Sequence, residues 1–350
     1  MRILILALLF LAHSVSFSAD AWHTFTDTKG RKMEASIIRV DETFVVVKLK
    51  SSGKEVPVDF DKLSDGDVDF LRDYEVPEPS EDLVTSTETG DTNEPETGRL
   101  YPRSKEEIRS SIREIKRRPK PEGISKDVHE ATTQLNIYRY LCGVPYDVES
   151  DAKFSTNAED AAKACKENGG LSHDLGHSTN KCNLAGGSNV EASVGQYIED
   201  SGDNNREKRG HRAWCLNPPM KRVGFGASGS YSAMWCMNSE GKSIRGSWSY
   251  PGQGLFPLEY MRGNAWSLYG AGVPDSADKV KVRIVKLSKR PDKPFSATAE
   301  IPGREIAVKH VSIASMNGIN FEPEEPAQRG IYWVAVRGGG IRESYLVELY

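Results

Sequence analysis

Side chains able to do chemistry gather in the middle of this 350-residue chain. Ser172-His173-Asp174-Leu-Gly-His177 sets two histidines four apart, the spacing with which one helical face chelates zinc. Gly169, Gly170 and Gly176 mark that stretch as loop, which spoils the spacing. A further histidine stands in Gly210-His211-Arg212. Two neutral imidazoles from separate elements can hold a borderline divalent cation such as zinc, with solvent completing the shell. The competing reading makes them hydrogen-bonding groups of a packed cavity. No HExxH helix and no GxSxG elbow occurs. Gly224-Phe-Gly226-Ala-Ser-Gly229 fits a dinucleotide fingerprint, but a strand pattern follows it where the fingerprint needs a helix, so a hairpin is expected.

Five cysteines, Cys142, Cys165, Cys182, Cys215 and Cys236, fall within one 95-residue window. Met1-Arg2, an apolar run from Ile3 to Ala12 and small residues through Ala19 read as a secretory signal over 1–19, so the mature chain is expected in the periplasm, at the cell envelope or in the medium. Export places the thiols in an oxidising compartment. Cys215–Cys236 and Cys165–Cys182 are the expected pairs, with Cys142 left over on a helix, although five cysteines admit other connectivities. There are no CxxC pairs to suggest a thiolate zinc site.

The elements that must position these groups fall into five stretches after the signal. Residues 20–74 alternate as short strands with turns at Asp27-Thr-Lys-Gly30 and Ser51-Ser-Gly53, and Ser64 caps a short helix. Residues 75–103 are expected to be a disordered linker: 75–98 carry eight acidic side chains, five Thr, three Pro and no Lys or Arg. Residues 104–126 are basic, with ten Lys/Arg against four Glu over 99–126; Ser104 and Glu107 make a capping box before the stripe Ile108, Ile112, Ile115. A solvated helix docked on the next domain is preferred there over a binder of anionic surfaces. Helical periodicity then dominates 127–200, and 201–209 looks like an insertion. Tyr231, Ala233, Trp235 and Met237 alternate as a strand, and 243–350 reads as β throughout. Helices followed by strands predict an α+β fold. The formal net charge of −4 gives no bulk basic field for nucleic acid, and no apolar run after the first segment is long enough to span a membrane.

Gly210-His211-Arg-Ala-Trp-Cys-Leu216-Asn217-Pro218, followed by Val-Gly224-Phe-Gly226, resembles the signature of the CAP superfamily of cysteine-rich secretory, antigen-five and pathogenesis-related proteins. Asn136-Ile-Tyr-Arg139, Gly143-Val-Pro-Tyr and Ser172-His173-Asp174 fit upstream, so the resemblance spans about 127–240. It implies an α-β-α sandwich over 127–242, with a cavity lined by two histidines and two acidic residues. Those histidines fall on His173 and His211, so the resemblance implies a divalent-metal pair there, with water or Glu199 as the third ligand. The usual Gly-Glu-Asn element reads Gly187-Ser188-Asn189, without its Glu. Glu191 is a substitute, although Ser188 and Glu191 also fit a capping box, and Glu199 is the second acidic candidate. Trp214 is expected to be buried under the sheet.

Residues 22–71 are similar to an SLA homology domain 1, carried by Trp22-His-Thr-Phe-Thr-Asp-Thr-Lys-Gly-Arg31, Glu34-Ala35, Val56-Pro-Val58 and Leu63-Ser64. That resemblance implies a small SH3-like barrel; the cytoskeletal and ubiquitin contacts of its adaptor relatives are implied only distantly. The expected architecture is thus a CAP-like core between an SH3-like barrel and a C-terminal all-β, sandwich-like domain. The expected function is an exported, non-enzymatic modular binding protein that needs no cofactor and contacts protein, peptide or envelope polymer. The alternatives are a metal-dependent hydrolase or peptidase using the His173/His211 cavity, and a lipid- or sterol-binding protein.

Overall fold

The computed structural model describes residues 22–40, 44–73, 100–272 and 274–350. The signal-like segment 1–19 and residues 75–99 of the acidic stretch lie outside the described residues. The chain divides into two compact units, Met1–Asp91 and Thr92–Tyr350.

In the first unit, β1 (His23–Thr26), β2 (Lys32–Val40), β3 (Phe44–Leu49) and β4 (Glu55–Asp59) form an antiparallel meander, followed by α1 (Asp65–Asp73). Period-two alternation turns Ala35, Ile37, Val45 and Val47 inward, where they meet Phe25, Leu63 and Leu71. Ser64 does cap α1: its Oγ accepts from the Asp67 amide. The Asp67 carboxylate accepts from Thr26 N at 2.7 Å and Ser64 Oγ at 2.7 Å, and His23 Nε2 lies 2.9 Å away. Burial alone would raise that carboxyl, but these donors hold it below the usual range. The expected SH3-like barrel is not closed. Among the described residues β1 and β4 are the edges of an open sheet, and beyond the meander a single bridge, Asp27 to Leu63, ties the start of the sheet to the turn before α1. A four-residue β1 offers too little ladder to complete a barrel wall.

The second unit begins with α2 (Lys105–Lys116) and α3 (Lys126–Leu141). The capping box forms in full: Glu107 N donates to Ser104 Oγ at 3.1 Å and Ser104 N to Glu107 Oε2 at 2.6 Å. Ile108 and Ile115 are buried in the same core as α3, which is the docked-helix reading of the basic stretch. The expected linker ends earlier than residue 103. Leu100 is buried with Val285, Leu287 and Trp333; Tyr101 donates to Glu348 at 2.6 Å; and Arg103 donates to the Tyr140 and Leu141 carbonyls that end α3.

Next come β5 (Glu149–Ser150), α4 (Ala152–Asn168), β6 (Cys182–Gly186), α5 (Val190–Glu199), α6 (Gly210–Cys215), β7 (Arg222–Ser228) and β8 (Tyr231–Trp235). The strands form one sheet in the order β5-β7-β8-β6. Alternation sorts its two faces. Val223, Phe225 and Met234 join the core that contains α3 and α5, while Leu184 and Ala233 pack with Ala158, Ala161, Ala162 and Cys165 of α4. Helices on both faces give the three-layer arrangement. Gly224 and Gly226 are strand residues here, not turn residues: a Cβ on Gly224 would lie 2.1 Å from the Phe154 carbonyl carbon, and one on Gly226 2.2 Å from Glu159 N. The glycines let α4 lie directly on the backbone of β7, and the hairpin turns at Gly229, with φ +60°. Trp214 is half-buried at the end of α6, not sealed under the sheet.

The remainder is all β: β9 (Trp248–Tyr250), β10 (Gly254–Phe256), β11 (Trp266–Tyr269), β12 (Lys281–Leu287), β13 (Arg304–Ile306), β14 (Val308–Ile313), β15 (Ile319–Pro323), β16 (Gly330–Gly338) and β17 (Ile341–Leu349). Two sheets form, β10-β17-β16-β12-β13 and β14-β15-β11-β9. Phe321, Trp266, Ile284 and Val334 between them are continuous with Leu135, Tyr138 and Ile198 of the helical layers. The β region is therefore no accessory domain: it shares one hydrophobic core with the part that carries the histidines.

The expected disulfides do not form. All five cysteines are free and buried. Cys165 and Cys182 fill the core beneath α4, and Cys215 and Cys236 are separated by the amide of Asn183, whose Nδ2 lies 3.8 Å from Cys215 Sγ and Oδ1 3.5 Å from Cys236 Sγ. Burial pushes the Cys142 and Cys182 thiols up to about 12 and carries Cys215 and Cys236 well above the usual range. They behave as small apolar side chains.

Candidate two-histidine cleft

His173 and His211 converge. Their ring centroids are 6.5 Å apart and the rings are tilted by 53°. His173 is exposed and His211 half-buried, so the pair opens to solvent.

Each ring is held from behind through Nδ1. His173 sits on a loop that turns through three successive left-handed residues, Gly176, His177 and Ser178. Buried Thr179 locks that loop: its hydroxyl lies 3.0 Å from the His173 carbonyl and 2.9 Å from that of Gly176. The Thr179 carbonyl lies 2.9 Å from His173 Nδ1. A carbonyl can only accept, so Nδ1 carries the proton and Nε2 is the unprotonated nitrogen of the neutral ring. His211 Nδ1 lies 3.0 Å from Asp200 Oδ1, and the edge of Tyr197 packs against the ring at 5.5 Å. Among the described residues neither Nε2 has a hydrogen-bond partner.

Asp200 was not among the acidic candidates, yet it is the carboxylate at this site. Its side chain has no exposure, and Oδ2 accepts from the backbone of His211 at 2.9 Å and Arg212 at 3.4 Å at the start of α6. It is the residue that ends α5, in the left-handed region with φ +48° that Asp tolerates better than most. The helix period could have found it. Val190, Val194, Tyr197 and Ile198 form the inward stripe, which leaves Glu199 turned away and puts the chain reversal at Asp200.

Glu199 accepts from Ser201 Oγ at 2.8 Å and packs beside Gly263; its part in the cleft is its carbonyl, which accepts from Arg209 and Arg212. Glu191 is exposed in the first turn of α5 and has no contact with either ring among the described residues. The Ser188–Glu191 capping box does not form either. Asn189 is the cap, accepting from Ala192 N at 2.8 Å, one residue later than expected.

Two imidazoles supply two of the four donors that zinc usually takes. Among the described residues no group of three or more His, Cys, Asp or Glu is arranged to hold a metal ion. The residues present do not make a zinc site of ordinary strength.

Comparison with known proteins bears on the central segment. Residues 132–238 match the sequence profile of CAP, the cysteine-rich secretory protein family. Those residues form a CAP domain. No curated protein matches the chain. Among solved structures, a cysteine-rich secretory protein from Staphylococcus aureus subsp. aureus Mu50 is 12% identical, with 62% of this chain and 85% of that one covered and a TM-score of 0.25. PcoC, a copper resistance protein from Escherichia coli, is 13% identical, with 29% of this chain and 95% of that one covered and a TM-score of 0.21. Scores this low carry nothing about either fold or function.

The motif residues of the CAP domain are mostly its scaffold. Arg139, fully buried, donates to the carbonyls of Pro145, Cys215, Asn217 and Pro218, so Asn136-Ile-Tyr-Arg139 and Leu216-Asn217-Pro218 are two halves of one clamp. Burial without a carboxylate partner lowers its guanidinium to about 10. Asn136 pins Val148 through both its amide and its carbonyl, at 2.9 and 3.1 Å. Arg212 donates to the carbonyls of Ile198, Glu199 and Ala265 and to Ser267 Oγ, while lying over the ring of Tyr250. A Cβ on Gly210 would lie 3.4 Å from Ser315 Oγ, in contact with the β region. Of Gly210-His211-Arg212, only the histidine is left to meet a ligand.

Proposed function

We propose that this chain is an exported, non-enzymatic modular binding protein in which the CAP domain presents an open two-histidine cleft. The observation that carries the reading is the wiring of the two rings: Nδ1 of each is set against a carbonyl or a carboxylate, and Nε2 of each is left without a partner among the described residues. Such a pair offers hydrogen bonds, or two donor atoms to a weakly held divalent cation. Polar groups of a protein or of an envelope polymer are the occupants it suits. The open sheet of the N-terminal unit serves as a further contact surface, and the pattern over Met1–Ala19 supports export.

A hydrolase finds less support here. Glu199, the expected general base, is engaged with Ser201, and Asp200 is buried with Oδ2 held at the start of α6 and Oδ1 3.0 Å from Nδ1 of His211. Burial raises the Cys142, Cys182, Cys215 and Cys236 thiols, away from the thiolate a nucleophile needs.

Zinc titration by calorimetry, with the wild type and His173→Ala, paired with peptidase and esterase assays, tests the reading. Weak or no zinc heat, lost in the variant, and no turnover are expected. Turnover of a peptide or ester that disappears in His211→Ala would overturn it.

A further inference from the structure

A second cavity, of about 510 Å³, opens where the end of α3 meets the start of the β region, and it shares no lining residue with the histidine cleft. Its volume is ordinary for a ligand site, which runs about 300–1,000 Å³. Pro102 and Pro145 contribute flat apolar walls, and Tyr140, Tyr146 and Trp248 contribute rings. Tyr140 and Tyr146 meet edge to face at 5.1 Å, and Tyr146 is 38% exposed.

Among the described residues Arg103 is the charged side chain that lines this cavity, and lining Ser247 donates to the Glu343 carboxylate at 3.3 Å. Arg103 lines the wall with its guanidinium 4.7 Å from the Tyr140 ring centre. Arg118 lies 5.4 Å from the centre of the Tyr146 ring and donates to the Tyr146 carbonyl. A ligand bearing negative charge is therefore favoured.

The rings also decide what kind of anion fits. One face of each tyrosine already carries a guanidinium, and Trp248 stacks on Tyr269 at 5.7 Å. Aromatic rings beside proline walls make the kind of lining that takes the ridges of an extended left-handed peptide helix. That helix is preformed, so docking it costs little chain entropy, and one turn of three residues spans about 9 Å.

We infer that this cavity binds a short acidic, proline-containing peptide segment in the extended left-handed conformation, its prolines between Tyr140, Tyr146 and Trp248 and its carboxylates toward Arg103 and Arg118. The occupant is a segment of a partner protein. The inference shares with the proposed function only the idea of a binding protein, and it fails or stands separately from the histidine cleft, which zinc and turnover test.

The experiment is a calorimetric titration of the full chain with an acetylated, amidated hexapeptide of three Pro-Glu repeats. A hexamer of galacturonic acid is the comparison. Saturable peptide binding is expected, weakened about tenfold by Tyr146→Ser and a few-fold by Arg118→Gln, with added salt lowering affinity in the wild type more than in R118Q. Tyr146 is exposed, so its variant keeps the fold, as an unchanged melting temperature would show. No peptide binding, binding indifferent to Tyr146→Ser, or preference for the uronate oligomer would each overturn the inference.

Discussion

Arg209 Nη2 lies 2.5 Å from Glu322 Oε1, an ion pair between the segment just before α6 and strand β15. Arg206 joins it with two further bonds to the same carboxylate, at 3.2 and 2.9 Å. Arg209 also donates to the carbonyls of Glu199 and Asp200, the residue that backs His211. Segment 201–209 is thus a strap that ties the histidine cleft to the β region, and Ser312 and Asn320 grip the Glu207 carbonyl within it.

Glu322→Gln should destabilise the second unit by about 3 kcal/mol, because it leaves a nearly buried guanidinium without its counter-charge. Burial alone would raise the Glu322 carboxyl, but the hydrogen bond from Arg206 and the charges of Arg209, Arg206 and Lys309 hold it below its ordinary 4.5. A depressed carboxyl stabilises the fold above the unfolded value and loses that contribution as pH falls through the folded one. Wild-type melting temperature should therefore drop as pH falls below about 4.5, and E322Q should show a shallower drop. Parallel curves for the two proteins would contradict the assignment.

Asp200→Asn keeps a residue that tolerates the left-handed backbone but removes the charge that gathers the His211 and Arg212 amides. A charged hydrogen bond of this kind is worth about 1.5–3 kcal/mol. Amide hydrogen exchange should accelerate over α6 and leave α4 unchanged. Uniform acceleration across the unit would argue for general destabilisation instead.

Gly226→Ala should be severe. Its Cβ would sit 2.2 Å from backbone nitrogen of Glu159, which cannot move aside without lifting α4 off the sheet. Overpacking of this kind costs about 1–3 kcal/mol or more. Gly229→Asn, at a turn beside the flexible end of Lys166, is the tolerated counterpart. Equal melting temperatures for the two variants would refute the close-approach account.

Native alkylation with iodoacetamide at pH 8 should modify none of the five cysteines, and alkylation in guanidinium without reductant should modify all five. A mild reductant should leave the melting temperature where it is. Mass spectrometry that finds a bridge between any pair would reverse the correction made to the disulfide expectation.

Local signals carried far in this chain. The Ser104–Glu107 box, the inward stripe of α3, the switch to period two near Tyr231 and the β character of 243–350 all depend on neighbours a few residues apart, and they formed as expected. Asn189 took the cap expected of Ser188 because either side chain can fill that role, and only the entry angle of the chain selects one. The linker's end was misplaced because Leu100 gains its burial from Trp333 and Val285, far along the sequence.

By itself the sequence named two histidines on separate elements, since residue type and motif order survive without coordinates. Tertiary structure alone decided what surrounds them. Asp200 rather than Glu199 backs His211 because a chain reversal after α5 turns one carboxylate inward and the other out. Five thiols stay unpaired because packing, not proximity along the chain, sets which sulfur atoms can approach. The β region joins the cleft because Glu322 meets two arginines more than a hundred residues away, a contact that no local pattern encodes.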